Sequence, residues 1–180
     1  MRYPIRLRSS GTTEGDTARV LGKLEQSGKD IPIIRVVANW PGGFRPFVLM
    51  ADALLSKGVL PAGTRECVVL HLAAAQGHQY EWDEHVGISA AAGITDRQRA
   101  ALSAGAVPPA GADFTAAQVA AMTFADQLLA QQPVSPDDWD AACAALGEDA
   151  AREVVFAVAW WAGFVPVVAR SLVALALGDR

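Results

Sequence analysis

The chain has 180 residues, 52% of them hydrophobic, with a formal net charge of −4. That length suits one domain and buries a core without disulfides or a metal. The mild acidity and scattered basic residues exclude a nucleic-acid partner, and two cysteines, Cys67 and Cys143, with no CxxC pair, exclude a disulfide scaffold.

Taken in chain order, residues 1–15 read as irregular and carry no apolar core of a signal peptide. A polar helix is expected from Thr17 to about Gln26. "IPIIRVVAN" fits a helix or a strand, and "NWPGG" breaks it. "FRPFVLMADALLSKG" resumes a helical pattern with Phe47, Met50, Ala51 and Leu54 on one side, and Gly58 stops it. Pro61 reads as a first-turn residue of a helix reaching about Gln76. Gly77 interrupts, and a second helix follows from about His78 to Ala92, stopped by Gly93. "TDRQ" and "TAAQ" have the form of capping boxes at Thr95 and Thr115. Between them "AGAVPPAGAD" is a loop, and "AAQVAAMTFADQLLAQ" is an amphipathic helix. "SPDD" combines a cap at Ser135, a first-turn proline and early carboxylates. The last element runs from about Glu148 to Leu177, and Pro166 should kink or split it. Seven or eight helices result, with little or no sheet: an all-α chain. Its longest apolar run, Val154 to Ala169, is shorter than the roughly 20 residues a bilayer requires. No membrane is expected; a subunit interface is the easier use of that surface.

The chemistry concentrates in "HQYEWDEH". His78, Glu81 and His85 stand at i, i+3 and i+7 on one helix face, with Glu84 beside it. If the helices on either side of Gly77 form a hairpin, Glu66 approaches the same place. Three readings stand. The charges face water. Or a histidine beside a carboxylate, with its tautomer set, moves protons near neutrality. Or Glu66, His78, Glu81 and His85 supply N/O ligands to a divalent metal ion. Elsewhere, Arg65 reads as a surface or interface ion, and His71, about 140° around the helix from Glu66, faces away. Asn39 could cap a turn or line a pocket. Of the adjacent Trp160 and Trp161, one packs inside and the other lines a pocket or an interface; Trp161 is the candidate for substrate contact. Arg170 could pair with a carboxylate or hold an anionic ligand. The cysteines read as buried small hydrophobes.

"LPAGTRECVVLHLAAAQGHQYEWDEHVGISAAAGITDRQRAAL" resembles the core of the carboxymuconolactone decarboxylase family, which includes AhpD-type alkylhydroperoxidases. The frame is Leu60–Pro61, Arg65–Glu66, an apolar helix, then Tyr80, Glu81, Trp82 and His85; weaker likeness extends over residues 33–178. The resemblance implies an AhpD-like helical fold with a central helix hairpin, assembled as a dimer, trimer or hexamer. Residues 1–32 would form an N-terminal arm and first helix, and 33–180 the family domain. In the peroxidase branch a glutamate and a histidine relay protons to a CxxC thiolate. Those two positions fall here on Glu66 and His85, and the cysteines on His78 and Glu81. Both thiols are therefore missing, and dithiol peroxidase activity is not expected. The decarboxylase branch implies a cofactor-free lyase acting on a small carboxylated lactone in the cytoplasm. Its catalytic candidates here are Glu66, His78, Glu81 and His85, with Asn39, Trp161 and Arg170 as substrate contacts. An ionised Glu81 would oppose an anionic substrate, a charge that Arg170 or Arg45 could offset. A non-catalytic helical oligomer or small-ligand binding protein is the alternative outside enzymology.

Overall fold

The computed structural model describes residues 5–107, 113–130 and 133–178, and among these there is no strand. The helices are α1 (Gly15–Gln26), α2 (Pro32–Val37), α3 (Pro41–Asp52), α4 (Ala62–Gln76), α5 (Gln79–Ala91), α6 (Asp96–Leu102), α7 (Ala116–Leu129), α8 (Pro136–Leu146), α9 (Glu148–Val158), α10 (Val165–Val168) and α11 (Ala174–Leu177). Helical segments exceed the expected seven or eight because π-helical turns at Ala53–Lys57, Ala159–Phe164 and Ala169–Val173 subdivide longer helical runs. Of the expected loop over residues 104–113, residues 108–112 lie outside the described residues, as do residues 1–4 of the N-terminal stretch and Gln131 of the amphipathic helix.

The chain divides into two compact units. The first holds Met1–Ser56 and Val167–Arg180. In it α1 packs on α3, and α2 packs on α3 and on the π turn Ala169–Val173. The ambiguous run "IPIIRVVAN" is helical: Pro32 takes the first turn, where a missing N–H is harmless, and Ile33, Ile34, Val36 and Val37 are buried. Of the apolar stripe expected on this run only Phe47 is buried, and Ala51 and Leu54 are half-buried. Phe44 and Phe47 are buried, whereas Met50 is exposed.

The second unit, Lys57–Pro166, is built around α4, which packs on α5, α6, α7, α9 and the π turn Ala159–Phe164. Residues Thr64 to Ala73 are all buried, as expected of a helix surrounded by others. The entry to α4 is clamped by the Glu153 carboxylate, which accepts from the backbone N–H groups of Val59 (2.6 Å) and Leu60 (2.7 Å). A Cβ at Gly58 would lie 2.3 Å from the Glu153 Oε2, so a larger residue there would push that carboxylate off its two N–H donors. Thr95 and Thr115 form the expected capping boxes, and Ser135 caps α8 ahead of Pro136.

Helical geometry continues through Pro166 as mixed α and π turns. Glu148–Leu177 is one stretch long and apolar enough to cross a membrane by length and composition alone. It is longer than the expected apolar run because it includes charged residues at both ends of that run, and 33% of its apolar window is buried within the protein.

Candidate active site

The site begins at the hairpin between α4 and α5. Gly77 adopts φ 67°, a left-handed conformation open to glycine at little cost. Its N–H donates to the Ala74 carbonyl and that of His78 to the Ala73 carbonyl, closing a Schellman turn that folds α5 back along α4. The buried residues of α5 are Glu81, His85 and Ser89, at i, i+4 and i+8. This inward stripe is polar throughout, while Ile88 is exposed and Tyr80 and Trp82 are only half-buried.

Opposite that stripe, Glu66 on α4 is fully buried, at 0% exposure. His85 Nδ1 lies 2.8 Å from its Oε2, and Arg65 Nε donates to its Oε1 at 3.0 Å. Arg65 is itself buried, contrary to the expectation of a surface ion. With no exposed side on this part of α4, each charge requires a partner, and guanidinium and carboxylate supply it for each other. A carboxylate accepts only, so Nδ1 of a neutral His85 carries the proton, and Nε2 is the nitrogen left for a reacting molecule. The Trp161 ring, buried at the π turn, stands edge-on to the imidazole with centroids 5.6 Å apart at 88°.

Glu81 completes the group. It is 3% exposed, and its Oε1 has no hydrogen-bond partner. Burial pushes its pKa up to about 7, the charge of His85 pulls it back, and Glu84 adds to the rise. Near neutrality Glu81 is thus populated in both its acid and its base form, which weakens the repulsion expected of a fixed anion. Glu84, half-buried and hydrogen-bonded by Tyr80, is also raised by burial.

His78 stands apart. It occupies the N-cap position without a side-chain cap bond and lines an open hollow of about 250 Å³ with Ala73, Ala74, Gly77, Gln79, Trp82 and Ser103; none of Glu66, Glu81 or His85 lines it. Among the described residues no three His, Cys, Asp or Glu side chains converge in a way that could hold a metal ion. The four proposed ligands thus do not form one cage. Cys67 is buried, and burial followed by the charge of Glu66 pushes its thiol up to about 12, which leaves it a packing residue at neutral pH.

In the first unit, Asn39 Oδ1 accepts from Arg8, and Nδ2 donates to the carbonyls of Arg6 and Val36, so both ends of its amide hold the N-terminal segment. Arg45 pairs with Asp16. Arg170 is exposed. Sequence reasoning missed the burial of Arg65 and the pairing of His71 with Asp126 on α7. A signal existed for the first: "TRECVVLHLAAA" has too few polar positions to leave a solvated face.

The α4–α5 hairpin thus buries a histidine–carboxylate pair, with a second buried carboxyl one turn away on α5. Residues 41–127, roughly half of the chain, match the model of the Carboxymuconolactone decarboxylase family, and over this segment the chain belongs to that family. The segment contains Glu66, His78, Glu81 and His85 and excludes Asn39, Trp161 and Arg170. No curated protein and no solved structure matches the chain significantly.

Proposed function

We propose that the chain is a cofactor-free lyase of the carboxymuconolactone decarboxylase type, acting on a small carboxylated lactone or a related compound by His/Glu acid–base chemistry. The observation that carries this reading is the buried Glu66–His85 pair beside Glu81, whose Oε1 is unpartnered. In the reaction the bond from the lactone ring carbon to the carboxylate breaks, CO2 leaves, and the electron pair spreads into the conjugated lactone. The Glu81 carboxyl then gives its proton to carbon and regains one from water. His85, held by Glu66 through Nδ1, uses Nε2 to orient the lactone or relay that proton. A neutral Glu81 tolerates the incoming carboxylate; an ionised one opposes it.

The same proposal includes a homo-oligomer in the cytoplasm, with residues 1–32 as an arm and 33–180 as the family domain. The oligomer reading is supported by the exposed Phe156 and by Phe164, stacked on Trp160 at 5.1 Å, which form apolar surface on the second unit.

The test is turnover of γ-carboxymuconolactone, followed by substrate loss and CO2 release, with His85→Ala as control. Turnover that collapses in the variant is expected. A folded wild-type protein that releases no CO2 from this lactone ends the reading for that substrate and returns the non-catalytic alternative.

A further inference from the structure

We propose that Arg65 is a positioning residue: by claiming Oε1 of Glu66 it dictates which nitrogen of His85 carries the proton. Three facts combine. Arg65 donates to Oε1 at 3.0 Å, His85 Nδ1 meets Oε2 at 2.8 Å, and all three side chains are buried, with Glu66 at 0% exposure. A guanidinium has donors only, so the oxygen facing it must accept. It is also the nearest counter-ion of a carboxylate that has no water to solvate it. Both effects keep the second oxygen an acceptor towards His85, which fixes the proton on Nδ1 and leaves Nε2 as a base.

Without Arg65 the buried carboxyl lacks its counter-ion. Glu66 then takes up one proton from solvent and donates it to Nδ1, which becomes the acceptor, and the single proton of the neutral imidazole sits on Nε2. The site would retain its shape and lose its base. This inference builds on the reading of Glu66 and His85 as an acid–base pair, but its central readout requires no substrate, so its failure is distinguishable from failure of the lyase reading.

The tautomer is read at neutral pH from the imidazole 15N shifts of full-length protein. Wild type and Arg65→Lys are expected to show Nδ1–H, and Arg65→Gln to show Nε2–H. Glu66→Gln supplies a variant of unchanged shape should Arg65→Gln not fold. In it, Arg65 demands the amide carbonyl, so the amide NH2 must face His85 and the tautomer must again be Nε2–H. On a turned-over substrate, Arg65→Gln is expected to lose about 10²- to 10⁴-fold in kcat, the range of a lost acid or base, and Arg65→Lys to recover most of it. Retention of Nδ1–H in folded Arg65→Gln, or in Glu66→Gln, overturns the proposal, because a purely structural Arg65 leaves the tautomer where it was.

Discussion

Two buried histidines of the second unit each meet a carboxylate, and their surroundings differ. His85 Nδ1 is 2.8 Å from Glu66, a fully buried residue that Arg65 also binds, with Trp161 edge-on to its ring and the buried Glu81 one turn earlier on α5. His71 Nε2 is 2.6 Å from Asp126, whose side chain is 46% exposed, and His71 Nδ1 is buried without a hydrogen-bond partner. At His71, α4 is tied to α7 by one bond that ends at solvent. At His85, a counter-ion, an orienting carboxylate and a second, protonatable carboxyl surround one imidazole. A histidine–carboxylate pair is therefore not by itself a site; what distinguishes His85 is the third and fourth group.

The largest effect should come from exchanging the two histidines' fates. His85→Asn places an amide N–H near the position of Nδ1, so the bond to Glu66 can survive while the outer nitrogen is lost. Decarboxylation kcat is expected to fall about 10²- to 10⁴-fold, with circular dichroism unchanged. His71→Asn is expected to leave kcat unaltered and to lower the denaturation midpoint. Equal losses of kcat in both variants would erase the distinction drawn between the two pairs.

Glu81 supplies the second test, through pH. Its carboxyl titrates at an ordinary value of 4.5 when unfolded and at about 7 in place, because burial disfavours the charge. Between those values the folded protein holds a proton that the unfolded chain has released. Stability therefore falls as pH rises through that window and is level above it. Glu81→Gln should flatten the fall and be more stable than wild type above pH 7, by at most on the order of 3 kcal/mol. Glu84, raised in the same direction, leaves a residual slope in the variant. Urea denaturation of both proteins across this pH range measures the difference, and parallel curves would mean that Glu81 is not the buried group responsible.

Much of this was legible beforehand, and particular residues show why the rest was not. Thr95, Thr115, Ser135 and Gly77 are local signals: a cap or a left-handed turn depends on a few neighbouring residues, so the sequence carries it unaided. The short run at Ile31–Asn39 was ambiguous because buried helices and strands share an apolar composition; Pro32 at the first turn suits the helix observed. The inward face of α5 was obscured for the opposite reason. Its buried stripe is Glu81, His85 and Ser89, so polarity points the wrong way for a rule that sends apolar residues inside. Only the tertiary partners on α4, Arg65 and Glu66, make that face tenable. The spacing of His78, Glu81 and His85 put three residues on one helix, yet His78 sits at its cap, where the side chain reaches a different hollow.

A third and smaller effect tests the His71 side. Asp126→Ala removes the acceptor of His71 Nε2 and leaves a fully buried imidazole with neither nitrogen paired within the protein. The loss should be about 1 kcal/mol, at the low end for a buried polar group, because the exposed edge of Asp126 lets water take its place. Chemical denaturation at neutral pH reads it. Turnover should be unaffected, in contrast to any change at Glu66.

Trp161 gives the smallest and most discriminating change. Its ring meets His85 edge-on, a geometry in which aromatic pairs contribute about 0.5–1.5 kcal/mol beyond their burial. If that contact serves to hold the imidazole in line with Glu66, Trp161→Phe shortens the ring but keeps an aromatic edge, and kcat should fall by roughly tenfold or less with KM unchanged. A tryptophan that instead forms a wall of the substrate pocket gives the reverse pattern: KM rises and kcat is retained, because binding is weakened alike in the ground and transition states. Steady-state kinetics on a single variant thus decides between support for the histidine and contact with the lactone. The first outcome would extend the set of groups that separates His85 from His71, and the second would move Trp161 out of it.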